Sequence, residues 1–388
     1  MTGKFEFATA GRVIFGAGAT ADLGIAVAAL GRRALVVTGG RPERSARLLK
    51  RIEDAGVVCT GCSVDGEPSL ELVQRYAETA REARCDVVAA IGGGSVLDAG
   101  KALAALLTNP GEPLDYLEVI GKGQALTNRA APLVAVPTTA GTGSEVTRNA
   151  VLGSAKHGVK ASMRSEGMLP RVAMVDPELT LGLPRAITAA TGLDAITQLI
   201  EPYVSVKSNP MTDLYCVEGL RHAAKALPRA FDNGEDIEAR SKMAWASLLG
   251  GMSLANAGLG GVHGFAAVVG GMFPAPHGAV CAALLPHVLE ANIEALRART
   301  PQSTALARYD EVARLVTGQP HASAEDAVWW AEEMCRMLEI PPLSAYGVRE
   351  SHAPVLVEKA SRASSMKGNP ILLTEAELRE VILRASAG

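Results

Sequence analysis

The sequence predicts an α/β domain built on a parallel sheet, followed by an all-helical domain. Three observations carry this reading. Up to residue 176, short apolar runs alternate with stretches of helical periodicity, the pattern of strands covered on both faces by crossover helices. After Pro184 the strand-like runs nearly vanish and helical ones take over. At 388 residues the chain also exceeds one ordinary core. The boundary falls near Thr180 to Pro184, which gives domains of 1–182 and 183–388.

Taken in order, Ala34-Leu-Val-Val-Thr38 reads as a strand ended by Gly39-Gly40, and Ser45 to Ala55 as a helix. Gly56-Val-Val-Cys59 starts a second strand, and Leu70 to Ala83 carries apolar residues at helical spacing. Asp86-Val-Val-Ala-Ala-Ile91, Ala131-Pro-Leu-Val-Ala-Val136 and Val172-Ala-Met-Val-Asp176 are the remaining strands. Beyond the boundary, Asp194 to Tyr203, Asp213 to Leu227, Ile237 to Ala257, His287 to Arg299 and Ser323 to Leu338 read as helices. In the second of these, Leu214, Val217, Leu220, Ala224 and Leu227 form one apolar stripe. The gap between two such domains is the natural place for a ligand.

Composition narrows the function. Hydrophobic residues make up 48% of the chain but aromatics only 4%, with 40 glycines, which suits close helix–sheet packing. The net charge of −3 comes without a basic stripe and argues against nucleic acid as a partner. Met1 to Phe7 is polar and lacks a signal-peptide core. The most apolar stretch, Gly264 to Leu285, contains His277 and is broken by Pro274 and Pro276, so no membrane span is expected. A soluble, cytoplasmic protein is the expectation. Cys59, Cys62, Cys85, Cys216, Cys281 and Cys335 are scattered and form no disulfide framework. Cys59-Thr-Gly-Cys62 lacks the second pair that a metal or redox reading requires and reads as small residues near a strand end.

Three elements carry chemistry. Gly92-Gly93-Gly94-Ser95-Val-Leu-Asp98 follows a strand and opens a helix. Glycines there admit a pyrophosphate to the backbone, and the helix N-terminus offers free N–H groups; the plain alternative is a connecting turn. The run lacks the G-x-G-x-x-G fingerprint of the standard dinucleotide fold. Pro137-Thr138-Thr139-Ala-Gly-Thr142-Gly-Ser144-Glu145-Val-Thr147 also follows a strand, and two such loops on one sheet are far more specific than one. In the helical half, Asp194 and Gln198 stand four apart on one helix face, with His263 in a glycine-rich apolar segment and His277 in Pro276-His-Gly278 further on. These groups could converge on one cation, although each histidine alone reads as a satisfied core or surface residue. His157, His222, His287, His321 and His352 lack a partner pattern and read as structural.

Together with Phe15-Gly-x-Gly18, Gly192-x-Asp194-Ala and Glu201-x-Tyr203, these motifs resemble the iron-containing (group III) alcohol dehydrogenase family over essentially the whole chain. The resemblance implies a Rossmann-like dinucleotide-binding domain plus an all-α domain, the dehydroquinate synthase-like architecture. It implies hydride transfer between an alcohol or aldehyde and NAD(P)(H), a homodimer, and a divalent metal: Fe2+ first, with Zn2+ and Mn2+ as alternatives. The family holds its metal by an Asp, a His four residues later, and two further His fourteen apart. Asp194, His263 and His277 match three of these positions, and Gln198 stands where the family has a histidine. An amide oxygen favours Mg2+, Mn2+ or Ca2+ over soft metals, so either the metal survives with an oxygen ligand or the site has lost it. Ala267 also departs from the histidine that many members place four residues after the first of the pair, so a proton relay through that position is absent.

By the same resemblance, Ser95, Thr138, Thr139, Thr142 and Ser144 would face phosphates and nicotinamide, with Gly92, Gly93, Gly94 and Asp98 forming the first loop. Lys160 matches a lysine near the cofactor and reads equally as a surface lysine. NAD-preferring members carry an acid after the first strand, where this chain has Gly39, Gly40 and Arg41. Arg41 would pair with a 2′-phosphate, so NADP(H) is the expected preference over NAD(H). The alternative is a metal-independent carbonyl reductase like maleylacetate reductase, in which Gln198 would donate an N–H to the substrate oxygen. A sugar-phosphate cyclase like dehydroquinate synthase and a non-catalytic cofactor-binding protein are the further alternatives.

Overall fold

The computed structural model describes residues 4–154 and 159–387; His157 lies outside the described residues. The chain divides into two compact units. One comprises Ala8–Thr139 with Gly143–Thr180, and the other comprises Leu181 onward with Ala140–Thr142 and the chain up to Phe7.

The first unit contains strands β1 (Val13–Phe15), β2 (Arg33–Gly39), β3 (Val58–Val64), β4 (Val87–Gly92), β5 (Leu133–Pro137), β6 (Asn149–Ser154), β7 (Val159–Arg164) and β8 (Val172–Val175). Six of them form one parallel sheet in the order β1-β8-β5-β4-β2-β3. The central strands read as unbroken apolar runs because both faces are covered. Leu35, Val37, Val88 and Ala90 pack with the helix Gly94–Thr108 on one side. Ala34, Val36, Val87 and Ala89 pack with the helices Leu23–Ala28 and Ala46–Asp54 on the other. Each buried Leu or Val side chain there contributes about 1.5–3 kcal/mol.

β1 and the antiparallel hairpin β6–β7 were not expected from the sequence. β1 has only three residues, and β6 alternates buried and half-buried positions with Asn149, Gly153 and Ser154 limiting its apolar set. β1 is fixed at the sheet edge through Asp176, whose carboxylate accepts from the Gly18 N–H at 3.1 Å and from the Thr20 N–H and hydroxyl at 3.1 and 2.7 Å.

The described part of the second unit is helical, without a strand. Its long helices are Arg185–Val204, Pro210–Asp232, Ile237–Ala257, Gly261–Met272, His277–Arg299, Thr304–Thr317, Ala324–Met337 and Glu375–Ala387. Local rules set their starts. Asn209 caps the second with Pro210 in its first turn, and Ser323 with Asp326 forms a capping box on the seventh. The sequence placed the start of the first helix nine residues late and that of His277–Arg299 ten residues late, because Pro286 sits inside the latter. His277–Arg299 bears on the expectation that no helix spans a membrane. It is long and apolar enough for a span by length and composition, and its most apolar stretch is 78% buried, so it is a core helix of its unit.

Candidate metal centre

The helix Arg185–Val204 brings Asp194, Gln198 and Glu201 to one face, and their side chains are 1%, 2% and 6% exposed. His263 is the third residue of Gly261–Met272, and His277 is the first residue of the next helix, directly after its Pro276 cap. Gly278 explains how His277 reaches the others. A Cβ there would stand 2.6 Å from the Ala190 carbonyl oxygen, so only glycine lets the start of that helix press onto Arg185–Val204.

The result is convergent. His263 Nε2 lies 3.3 Å and His277 Nε2 3.9 Å from Asp194 Oδ1. The other nitrogen of His263, Nδ1, is 2.7 Å from Glu201 Oε2, while Glu201 Oε1 accepts the Val262 N–H at 2.7 Å. Cys281, one turn after His277, places its sulfur 3.6 Å from His277 Nε2 and 3.9 Å from His263 Nε2. The ligand atoms of Asp194, His263, His277 and Cys281 all lie within 4.8 Å of one another.

The electrostatics of this cluster call for a cation. Burial pushes the Asp194 carboxyl up, but His263 and His277 override it and hold the group at about 2. His277 is pushed up to about 9, first by the Cys281 sulfur and then by Asp194, against burial and the neighbouring His263. Burial opposes a proton on His263, yet Cys281, Glu201 and Asp194 together raise it well above its ordinary value. Anionic neighbours thus favour the protonated form of both imidazoles, and a divalent ion would compete with those protons for the ring nitrogens.

The residues fit such an ion. Asp194 Oδ1 and Gln198 Oε1 are both buried without a hydrogen-bond partner. The 3.3 Å approach of His263 to Asp194 is too poorly aligned to count as one. Two orphaned oxygens one helical turn apart cost about 1–3 kcal/mol each unless something electropositive meets them. Imidazole nitrogens with carboxylate oxygen are donors for Fe2+, Zn2+ or Mn2+.

The first unit holds the two loops. Gly92 ends β4 beside Pro137 of β5, and the Thr138 N–H donates to the Gly92 carbonyl at 3.0 Å, so the loops start side by side. A Cβ on Gly92 would lie 2.5 Å from the Val96 side chain, which is why the turn into the helix requires glycine. A Cβ on Gly93 would stand 3.5 Å from the Thr139 hydroxyl, and Gly94 and Ser95 form the first turn of the helix. Asp98 is tied down by its own unit: it accepts from the Ser144 hydroxyl and from the Val151 N–H at 2.9 Å, and pairs with Lys101 at 3.0 Å. Asp98 and Ser144 thereby clamp the second loop to the helix that carries the first. Thr142 belongs to the other unit with Ala140 and Gly141. Lys160, on β7, pairs with Glu67 at 3.0 Å. Gly39 and Gly40 close β2, with Arg41 exposed beyond them.

Three residues escaped the sequence reading of the sites. From the sequence Glu201 stands out only as part of a motif. Cys281 reads from the sequence as one of six scattered cysteines, although its four-residue spacing from His277 on one helix is a usable signal. Asp65, after β3, brings its carboxylate within 3.2 Å of where a Gly40 side chain would begin.

The family profile described as iron-containing alcohol dehydrogenase matches residues 10–177, and the C-terminal profile of the Fe-containing alcohol dehydrogenase family matches residues 188–386. The chain is 36% identical over 343 residues to alcohol dehydrogenase 4 of Saccharomyces cerevisiae, covering 88% of this chain and 87% of that protein. It is 35% identical over 367 residues to the 1,3-propanediol dehydrogenase of Citrobacter freundii, covering 92% of each. The solved structure of a 1,3-propanediol oxidoreductase superposes with a TM-score of 0.91 at 34% identity, over 99% of this chain and 100% of the other.

Proposed function

Because the chain belongs to the iron-containing alcohol dehydrogenase family and is an NAD(P)-dependent alcohol dehydrogenase, we propose that a divalent metal held by Asp194, His263 and His277 assists its hydride transfer. Gln198 stands at the family's fourth ligand position with an amide oxygen that has no other partner. The observation that carries the reading is Asp194 Oδ1: buried, without a hydrogen bond, and faced by two imidazole nitrogens.

A bound divalent metal supplies Lewis-acid polarisation of the substrate oxygen. The protein's part is to bind, orient and exclude water. Asp194 stays ionised at any physiological pH, and Glu201 turns His263 so that Nε2 faces Asp194. In the oxidative direction a hydride leaves the carbinol carbon for nicotinamide C4 and the hydroxyl proton goes to solvent, since Ala267 offers no imidazole. Gly92, Gly93, Gly94 and Ser95 receive phosphate oxygens at the N-terminus of the helix Gly94–Thr108. Thr138, Thr139 and Thr142 line the second loop, Asp98 and Ser144 hold it in place, and Lys160 offers a positive charge toward the dinucleotide. The substrates are small alcohols and aldehydes.

Arg41 and Asp65 decide the cofactor. Arg41 attracts a 2′-phosphate, while the Asp65 carboxylate beside Gly40 supplies the anion that the turn itself lacks. Both are exposed, so each acts through screened charge, and the preference for NADP(H) over NAD(H) is modest. A cytoplasmic location agrees with six free cysteines, and a homodimer completes the reading.

Elemental analysis of protein purified without chelator tests the proposal. Near-stoichiometric Fe, Zn or Mn is expected, with activity lost on chelation and restored by metal. Trace metal together with undiminished NAD(P)H turnover would replace it by the metal-independent reductase.

A further inference from the structure

We infer that Cys281 is a metal donor, its sulfur joining Asp194, His263 and His277 in a four-membered set that does not need Gln198. This rests on the metal-assisted reading above and deepens it, because it changes the class of metal the site selects.

The argument starts from distances. Metal–nitrogen and metal–oxygen bonds of roughly 2.0–2.1 Å and a metal–sulfur bond of roughly 2.3 Å place tetrahedral donors about 3.3–3.6 Å apart. The observed separations are 3.3 Å for His263 to Asp194, 3.6 Å for Cys281 to His277, and 3.9 Å for Cys281 to His263 and for His277 to Asp194. Contraction by a few tenths of an ångström brings these four pairs to bonding geometry, and the remaining two, Asp194 to Cys281 and His263 to His277, lie within 4.8 Å.

Chain geometry makes the sulfur available without rearrangement. His277 and Cys281 are four apart on one helix, so both side chains lie on the face turned toward Asp194. Cys281 is fully buried, and its described neighbours at the sulfur are the two imidazole nitrogens. Asp194, a residue at 1% exposure, gives the second, independent observation: its buried Oδ1 has no hydrogen bond and lies in the same cluster.

Charge favours the same set. A carboxylate and a thiolate together neutralise a divalent ion, which a site this buried requires. On binding, the thiol proton leaves to solvent as the metal–sulfur bond forms, as coordination deprotonates a thiol outright. An N2OS set favours Zn2+, or Co2+ as its probe, over Mn2+ and Mg2+. That reverses the oxygen-loving site expected from Gln198 alone.

Cobalt tests this without relying on activity. Wild-type protein stripped of metal and loaded with Co2+ should show a near-ultraviolet sulfur-to-cobalt charge-transfer band. The band should persist in Gln198→Ala and disappear in Cys281→Ser, whose Zn2+ affinity should fall more than about 100-fold, beyond the range typical of residues that only support a ligand. Should Cys281→Ser fold poorly, zinc-edge X-ray absorption on the wild type gives the answer directly, with one sulfur scatterer at about 2.3 Å expected. Stoichiometric metal bound without the band or the sulfur scatterer would overturn the role of Cys281 and leave the metal reading standing. A wild type that binds neither Co2+ nor Zn2+ would overturn both.

Discussion

Glu201 decides which nitrogen of His263 faces Asp194. Its Oε2 lies 2.7 Å from Nδ1, so Nε2 is left on the opposite edge of the ring, 3.3 Å from Asp194 Oδ1. The carboxylate hydrogen-bonds His263 and the Val262 N–H, and so fixes the tautomer in which His263 can bind a metal. Replacing Glu201 by Gln keeps an acceptor for Nδ1 but removes the charge. Metal affinity should fall about 10- to 100-fold, read by competition with a chromogenic chelator, while the folded state persists in circular dichroism. An unchanged affinity would mean that Glu201 is a packing residue only.

His277→Ala removes a ligand at the start of a helix whose side chain is 35% exposed. Activity should be lost with little change in melting temperature, because the deletion opens no closed cavity. A variant with a near-native rate would contradict the assignment of this histidine.

The cofactor balance predicts opposite shifts from two substitutions. Arg41→Ala should lower kcat/KM for NADPH relative to NADH, and Asp65→Asn should raise it, each by about 3- to 10-fold, the scale of exposed charge interactions below about 1.4 kcal/mol. Steady-state ratios for both cofactors check this. Equal ratios in wild type and both variants would remove these residues from the discrimination.

Gly92→Ala would drive a methyl group to 2.5 Å from Val96 at the turn between β4 and its helix. Overpacking of this kind costs about 1–3 kcal/mol, and the loop must move to accommodate it. The expected result is a lower melting temperature with a raised KM for the dinucleotide and a smaller change in KM for the alcohol.

His287 sets an acid limit. Burial and then the charge of Arg384 push it down to about 4, and its Nδ1 is buried without a partner. The folded chain therefore keeps this imidazole neutral where the unfolded chain, with its ordinary value near 6.5, takes up a proton. Its stabilising contribution is complete above about pH 6.5 and is lost as pH falls toward 4, by about 2–3 kcal/mol after allowance for partial exposure. His287→Gln should flatten the denaturation midpoint across that window. A wild-type midpoint independent of pH there would refute the point.

The sequence disclosed what is local or periodic. The apolar runs of β2, β4, β5 and β8 were legible because burial on both faces removes alternation. Asp194 and Gln198 were legible from helical spacing, and His263 and His277 became candidates through the motifs around them. β1 escaped because three residues carry no period. Asp65 escaped because its meeting with Gly40 exists only once β2 and β3 lie side by side. Cys281 escaped because its significance depends on the histidine one turn before it being a ligand. Glu201 shares the helical face of Asp194 and Gln198, but its role escaped because its partner, His263, lies 62 residues away in the chain.

The sheet order also fixes a schedule. β2, β3, β4 and β5 are neighbours in the sheet and have all been synthesised by residue 137. β1, made before any of them, pairs only with β8, Val13 opposite Ala173. In a chain that emerges from the ribosome N-terminus first, the earliest strand must wait for the latest. Its anchor, Asp176, arrives only after β8 itself. Until then the edge of β5 lies open and β1 trails unpaired, so a ribosome stalled before residue 176 would expose a segment that the finished protein keeps covered.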